Sequence, residues 1–169
     1  SSLLNRATQG AYPPGSTFKI VTALSYLKAH GSIDGYDYNC EGSITMDGHT
    51  ITCYDGEVHG EEDFTTAFAK SCNSAFASIG VDLGKSKLTQ TAESLLFNSK
   101  LPIPIEYNKS KFDLGEHPGK PLLMQTSIGQ GNTLVSPMHM ALITSAIANK
   151  GKLMEPYYID HVETVSGRT

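Results

Sequence analysis

Two serine–lysine pairs at three-residue spacing stand in one early stretch, AYPPGSTFKIVTALSYLKAHG over residues 11–31: Ser16 with Lys19, and Ser25 with Lys28. A serine hydroxyl becomes a nucleophile when a neutral amine can take its proton, and a buried lysine one turn away supplies such an amine. With 17 serines and 11 lysines in 169 residues, chance alone supplies about one such pair. Context has to separate them. Pro13, Pro14 and Gly15 exclude a helix interior, whereas Phe18, Val21, Leu24 and Leu27 recur at three-residue steps and Gly31 closes the pattern as a left-handed cap. A helix is therefore predicted from near Ser16 to near His30. Ser25 and Lys28 fall in its interior, where backbone N–H groups are already bonded, and read as ordinary helix surface. Ser16 falls at the helix mouth, where free N–H groups and the positive end of the macrodipole stabilise negative charge. Lys19 is placed to fold back beside its hydroxyl. The same segment also reads as a serine N-cap followed by a solvated lysine.

A second constellation is Ser71-Cys72-Asn73, which falls in a break between two helical patterns. A hydroxyl and a carboxamide projecting from that break could relay a proton to a leaving amine and hold an amide substrate. Alternatively, Ser71 ends one helix and Asn73 caps the next.

The elements that must position these groups follow from periodicity. SITMDGHTITC reads as a hairpin in which Ile44 faces Ile51 across an Asp47-Gly48 turn. Extending its register puts Cys40 diagonally from Cys53 at about 7–8 Å, too far for a disulfide without a bulge. EDFTTAFAK gives a short helix with Phe64, Ala67 and Phe68 on one face. SAFASIGVDLG and KLTQTAESLLF give two more, separated at Gly84. Residues 98–121 hold four prolines and no periodicity, so they are expected to be irregular. The last helix has Ser136 as N-cap, Pro137 in its first turn and Gly151 beyond its end, and YYIDHVETV reads as a closing strand.

The chain is 39% hydrophobic, enough for one domain with a core of its own. A net charge of −4 without a basic cluster argues against nucleic acid. No apolar run reaches membrane-spanning length. His49, Cys53 and His59 are near one another in sequence, but no paired CxxC or HxxxH spacing accompanies them, so neither a metal site nor a cofactor is expected.

PPGSTFK, then SCN 55 residues later, then SIGQG and VSPMHMALITSAIANKG, together resemble the transpeptidase domain of penicillin-binding proteins, and within it the class B, monofunctional type. The resemblance includes His59-Gly60 ahead of the second motif and runs over nearly the whole chain. It implies a mainly α part of an α+β fold, the helical lobe of a DD-peptidase/β-lactamase-like domain with a small hairpin and a C-terminal strand. It implies that Ser16 is acylated, that Lys19 accepts its proton, that Ser71 shuttles it to the leaving D-alanine and that Asn73 holds the substrate amide. Gly129, Gln130 and Gly131 match a motif lining the family's cleft, and also read as a tight turn. Cys72 is a variable middle position, taken as packing. The Lys-(Thr/Ser)-Gly motif of the family is missing; SGRT at 166–169 does not match it. Residues 1–169 are therefore expected to be a partial domain, weak in acylation alone. The parent is expected to be tethered at the extracytoplasmic face of the cell membrane. Its partners would be peptidoglycan stem peptides, β-lactam antibiotics and a membrane glycosyltransferase. A serine β-lactamase, a β-lactam sensor and a non-catalytic scaffold of the same fold are the alternatives.

Overall fold

Gly15, at φ 60°, starts a 3-10 turn over Gly15–Phe18 that runs without interruption into helix α1, Lys19–His30, and Gly31 caps it at φ 76° with its amide on the Leu27 carbonyl. This computed structural model describes residues 4–149. The expected closing strand, the SGRT stretch and Gly151 lie outside the described residues.

Strand β1 (Tyr38–Cys40) pairs antiparallel with β4 (Gly60–Glu62), and β2 (Ser43–Met46) pairs with β3 (His49–Thr52). The hairpin forms in the expected register, Ile44 opposite Ile51, because Asp47 and Gly48 both take the positive φ of a two-residue hairpin turn. Cys40 does not extend that hairpin: it sits opposite Gly60 in the other sheet. Helix α2 (Phe64–Ala69) is capped by Asp63, whose carboxylate accepts the Thr66 amide. Helix α3 (Asn73–Ser94) breaks at Gly84, φ 73° and ψ 176°, where the sequence separates two helical patterns. Helix α5 (Pro137–Ala148) begins at Ser136, whose hydroxyl accepts the His139 amide at 3.1 Å.

Helix α4, Lys120–Ser127, is an element the periodicity did not predict. Pro121 belongs to its first turn rather than to the irregular stretch, since the missing N–H of a proline costs nothing there. Gly80 of α3 lies so close to α4 that a Cβ would come within 1.7 Å of Ser127 Oγ. The stretch before α4 is irregular as expected but firmly held. Asn98 and Phe112 exchange side-chain and backbone bonds at 2.8 and 2.9 Å, and buried His139 bridges Ser110 Oγ and the Leu95 carbonyl.

The core lies between α1 and α3, and α4 packs on α3 and meets α1 where Thr22 Oγ1 donates to the Ser127 carbonyl at 2.8 Å. Phe18, immediately before Lys19, stacks on Phe112 with centroids 5.8 Å apart and meets Phe97 edge-on. The turn that carries Ser16 is thus anchored by a fully buried aromatic ring two residues on. Ser25 is not surface, as its position suggested: it is buried against α3 and donates to the Lys87 carbonyl at 3.1 Å. Lys28 reaches Ser94 Oγ at 3.1 Å on the exposed side of the same contact.

Candidate active site

Ser16 lies exposed within the 3-10 turn, and its opening N–H groups have no intrahelical acceptor. It does not cap α1; Phe18 stands at that position and makes no side-chain capping bond. The turn is pinned from below. The Gly15 amide donates to the Gly129 carbonyl at 3.0 Å, and Tyr12 bridges Val135 through bonds of 3.0 and 2.9 Å. Gly129 has φ 80°, and a Cβ there would come 1.8 Å from the Gly15 carbonyl oxygen. Only glycine fits this contact. Gly131 is similarly close to Thr126, while Gln130 is exposed and its amide bonds the Gln125 carbonyl.

Lys19 is 2% exposed, and its amine turns toward the second motif. Nζ lies 2.7 Å from the Ser71 carbonyl, 2.8 Å from Ser71 Oγ and 2.6 Å from Asn73 Oδ1. The expected fold-back beside Ser16 is replaced by this three-way bond: no hydrogen bond joins Nζ to Ser16 Oγ. Burial lowers the Lys19 pKa to about 8, against the pull of Cys72 and Cys53. The Phe76 ring sits 6.0 Å from Nζ.

The approach of Ser71 to Lys19 depends on the end of α2. Cys72 N–H returns to the Ala67 carbonyl at 2.9 Å and Ser71 N–H to Phe68 at 3.0 Å, the paired bonds of a Schellman ending. Glycine usually occupies the left-handed position of that ending, but here Ser71 does, at φ 52°. Cys72, rather than Asn73, caps α3, its Sγ accepting the Ala75 amide at 3.4 Å. Asn73 is therefore freed for the cleft. Its Nδ2 donates to the Thr52 carbonyl at 3.0 Å, which fixes Oδ1 on Lys19 and leaves one N–H unused. Thr52 and Phe76 are site residues that no sequence signal disclosed.

Three hydrogen bonds on an ammonium consume all three of its protons. In the neutral amine, two N–H groups serve the Ser71 carbonyl and Asn73 Oδ1, and the lone pair faces the Ser71 hydroxyl. Ser71 can then donate to Lys19 while its own oxygen accepts from a neighbouring hydroxyl. The arrangement suits deprotonation of an exposed serine and return of that proton to a leaving group.

The family described as Penicillin binding protein transpeptidase domain matches residues 1–169. The chain belongs to this family. Peptidoglycan D,D-transpeptidase PbpA of Mycobacterium tuberculosis is 35% identical over 164 residues, covering 94% of this chain and 33% of that protein. Stage V sporulation protein D of Bacillus subtilis is 30% identical, covering 90% of this chain and 24% of its own length. A penicillin G acyl-enzyme complex of penicillin-binding protein A from M. tuberculosis superposes with TM-score 0.80 at 34% identity, over 92% of this chain and 36% of that one. The D,D-transpeptidase domain of a peptidoglycan glycosyltransferase from Eggerthella lenta gives TM-score 0.85 at 28% identity, over 99% and 44%. The fold is thus the helical part of the penicillin-binding transpeptidase domain. The chain spans about a third of the length of the curated PbpA relatives it matches.

The fold also gathers residues that lie apart in sequence. Cys40, Cys53, His59 and Cys72 bring their ligand atoms within 4.8 Å of one another, and Cys53 and Cys72 are the chain neighbours of Thr52 and Asn73. Burial opposes ionisation of Cys40, but bonds from Ser74, His59 and the Gly42 amide outweigh it and lower its thiol to about 6. Burial pushes the Cys72 thiol up. No disulfide forms among them; Cys40 and Cys53 Sγ are 3.7 Å apart.

Proposed function

We propose that this chain is the nucleophile-bearing part of a D,D-transpeptidase that cross-links peptidoglycan stem peptides through a serine acyl-enzyme. It would act within a longer protein at the extracytoplasmic face of the cell membrane, where a membrane glycosyltransferase supplies the strands to be joined. The observation that carries this reading is the Lys19 amine shared by Ser71 and Asn73 one turn from Ser16. The β-lactam acyl-enzyme of the M. tuberculosis relative supports it.

Ser16 Oγ attacks the carbonyl carbon of the penultimate D-alanine while the neutral Lys19 amine, directly or through Ser71 Oγ, takes its proton. The Ser16 amide, in the opening turn, is one donor to the oxyanion. Collapse of the tetrahedral intermediate breaks the C–N bond, and Ser71 delivers the proton to the departing amine. An amine from a second stem peptide then attacks the ester and restores Ser16. Asn73 Nδ2, with one N–H unused, holds the substrate amide, and Gly129 to Gly131 hold the turn that carries Ser16. A β-lactam enters the same sequence as far as the ester.

Labelling of the longer protein with fluorescent penicillin, followed by peptide mass analysis, tests the reading. A persistent adduct on Ser16 is expected. An adduct elsewhere, or none, would overturn it, and rapid turnover of nitrocefin would show a hydrolase instead.

A further inference from the structure

We propose that two adjoining cavities between α1, the end of α3 and α5 form a site for a single-chain amphiphile with a phosphate head, its chain in one cavity and its head in the other. The first cavity, about 260 Å³, is walled by Leu24 of α1, by Leu95 and Leu101 at and beyond the end of α3, and by Leu142, Ile143 and Ala146 of α5. The polar groups on its wall are already engaged. His139 uses both ring nitrogens, on Ser110 Oγ at 2.6 Å and on the Leu95 carbonyl at 2.7 Å. Water entering there finds few partners, so the cavity favours an apolar occupant. A dry cavity of about 150 Å³ takes a benzene ring, and this larger one has room for one alkyl or prenyl segment.

The second cavity, about 270 Å³, lies beside it between α1 and α3, and Ser25, Lys28, Lys87, Gln90 and Thr91 line it. The two meet at one hydrogen bond, Lys28 Nζ to Ser94 Oγ at 3.1 Å, because Ser94 lines the apolar cavity and Lys28 the polar one. Ser94 donates its own proton to the Thr91 carbonyl at 2.7 Å, so its oxygen holds the ammonium where the cavities join. Lys28, which reads from sequence as ordinary helix surface, is thus the residue that links them. Among the described residues no carboxylate lines either cavity. Glu93, next to Ser94, lines a different cavity with Lys85 and Lys111. Lys87 also borders the cavity of Asp37 and Asp82, yet among the described residues neither Lys28 nor Lys87 forms an ion pair. Two uncompensated ammonium groups with a primary amide and two hydroxyls suit a head with double charge and several acceptor oxygens, a phosphate monoester rather than a carboxylate. Positive charge beside a dry apolar cavity therefore matches an anionic head on one apolar chain. The site lies toward the C-terminal end of the helix whose first residue is Lys19, apart from the acylation site.

Photolysis of the full protein with decyl phosphate carrying a diazirine in its chain, followed by digestion and peptide mass analysis, tests the site. Adducts are expected within residues 24–28, 94–101 and 142–147. Plain decyl phosphate should suppress them at about one tenth of the concentration that decanoate needs, because the monoester engages both lysines. Decyl maltoside, with the same chain and no charge, should suppress them less still. Lys28→Gln combined with Lys87→Gln should cut labelling about tenfold or more. Ala146→Phe, which fills the apolar cavity, should abolish it, and thermal unfolding checks that both variants fold. If Ala146→Phe does not fold, the lysine pair and the competitors still decide. Adducts confined to other segments, equal suppression by decanoate or decyl maltoside, or undiminished labelling of either folded variant would overturn the proposal. None of these readouts depends on acylation of Ser16, so the site and the transpeptidase reading can fail separately.

Discussion

Lys19 Nζ touches Ser71 twice, at the carbonyl oxygen and at Oγ, across 52 positions of sequence. The carbonyl can only accept a hydrogen bond, whereas the hydroxyl can donate or accept. One residue therefore both anchors the amine and offers a route for its proton. In the proposed mechanism that dual role, with burial of the amine, would link the protonation state of Lys19 to the chemistry of Ser16.

Acylation should rise about tenfold per pH unit below about 8 and level off above it, because only the neutral amine can take a proton and burial lowers its pKa to about 8. The same shift acts on stability. The folded pKa lies below the unfolded 10.5, so the cost of burying Lys19 is full below about 8 and is relieved as pH rises toward 10.5. Lys19→Arg should label slowly with no such rise, since arginine keeps its proton. Fluorescent penicillin labelling rates across pH 6–9 measure this; a flat profile in the unmutated protein would remove Lys19 as the base.

Ser16→Ala should abolish labelling, whereas Ser25→Ala should retain it. Ser25 is buried with its hydroxyl on the Lys87 carbonyl, so its loss should appear instead as about 0.5–1.5 kcal/mol of stability in denaturant unfolding. Equal loss of labelling in two folded variants would contradict the assignment.

Ser71→Gly isolates function from fold. Glycine relieves the left-handed backbone at φ 52°, about 1–2 kcal/mol, while the bond from Lys19 to Oγ is lost. Stability should therefore change by no more than about 1 kcal/mol, and acylation should fall about a hundredfold or more. A folded variant that acylates normally would show that the hydroxyl carries no proton.

Gly129→Ala should destabilise by at least about 2 kcal/mol and slow labelling, because its Cβ meets the Gly15 backbone, which cannot rotate away. Gly131→Ala should be milder, since its φ is not left-handed and its Cβ would meet the Thr126 hydroxyl at 2.5 Å and Thr126 backbone only at 3.1 Å, against 1.8 Å to backbone at Gly129. Thermal unfolding and labelling of both variants compare them directly, and equal effects would deny Gly129 its role under the nucleophile.

The sequence by itself determined the features governed by residues within a few positions of one another. Proline and glycine place the turn at Ser16, Asp47-Gly48 sets the hairpin register, Gly84 breaks α3 and Ser136 caps α5, each through local backbone preferences. Helix α4 escaped because eight residues with Pro121 in the first turn show too little periodicity against the proline-rich stretch before them. What Lys19 bonds, whether Ser25 faces water, and where three cysteines and a histidine meet were decided by tertiary structure. These depend on how α1, α3 and the small strands pack, and a side chain's partners 50 residues away leave no imprint on local propensity. The motif residues were legible as types at fixed spacings; their hydrogen bonds became definite only when packing closed the site around the buried amine.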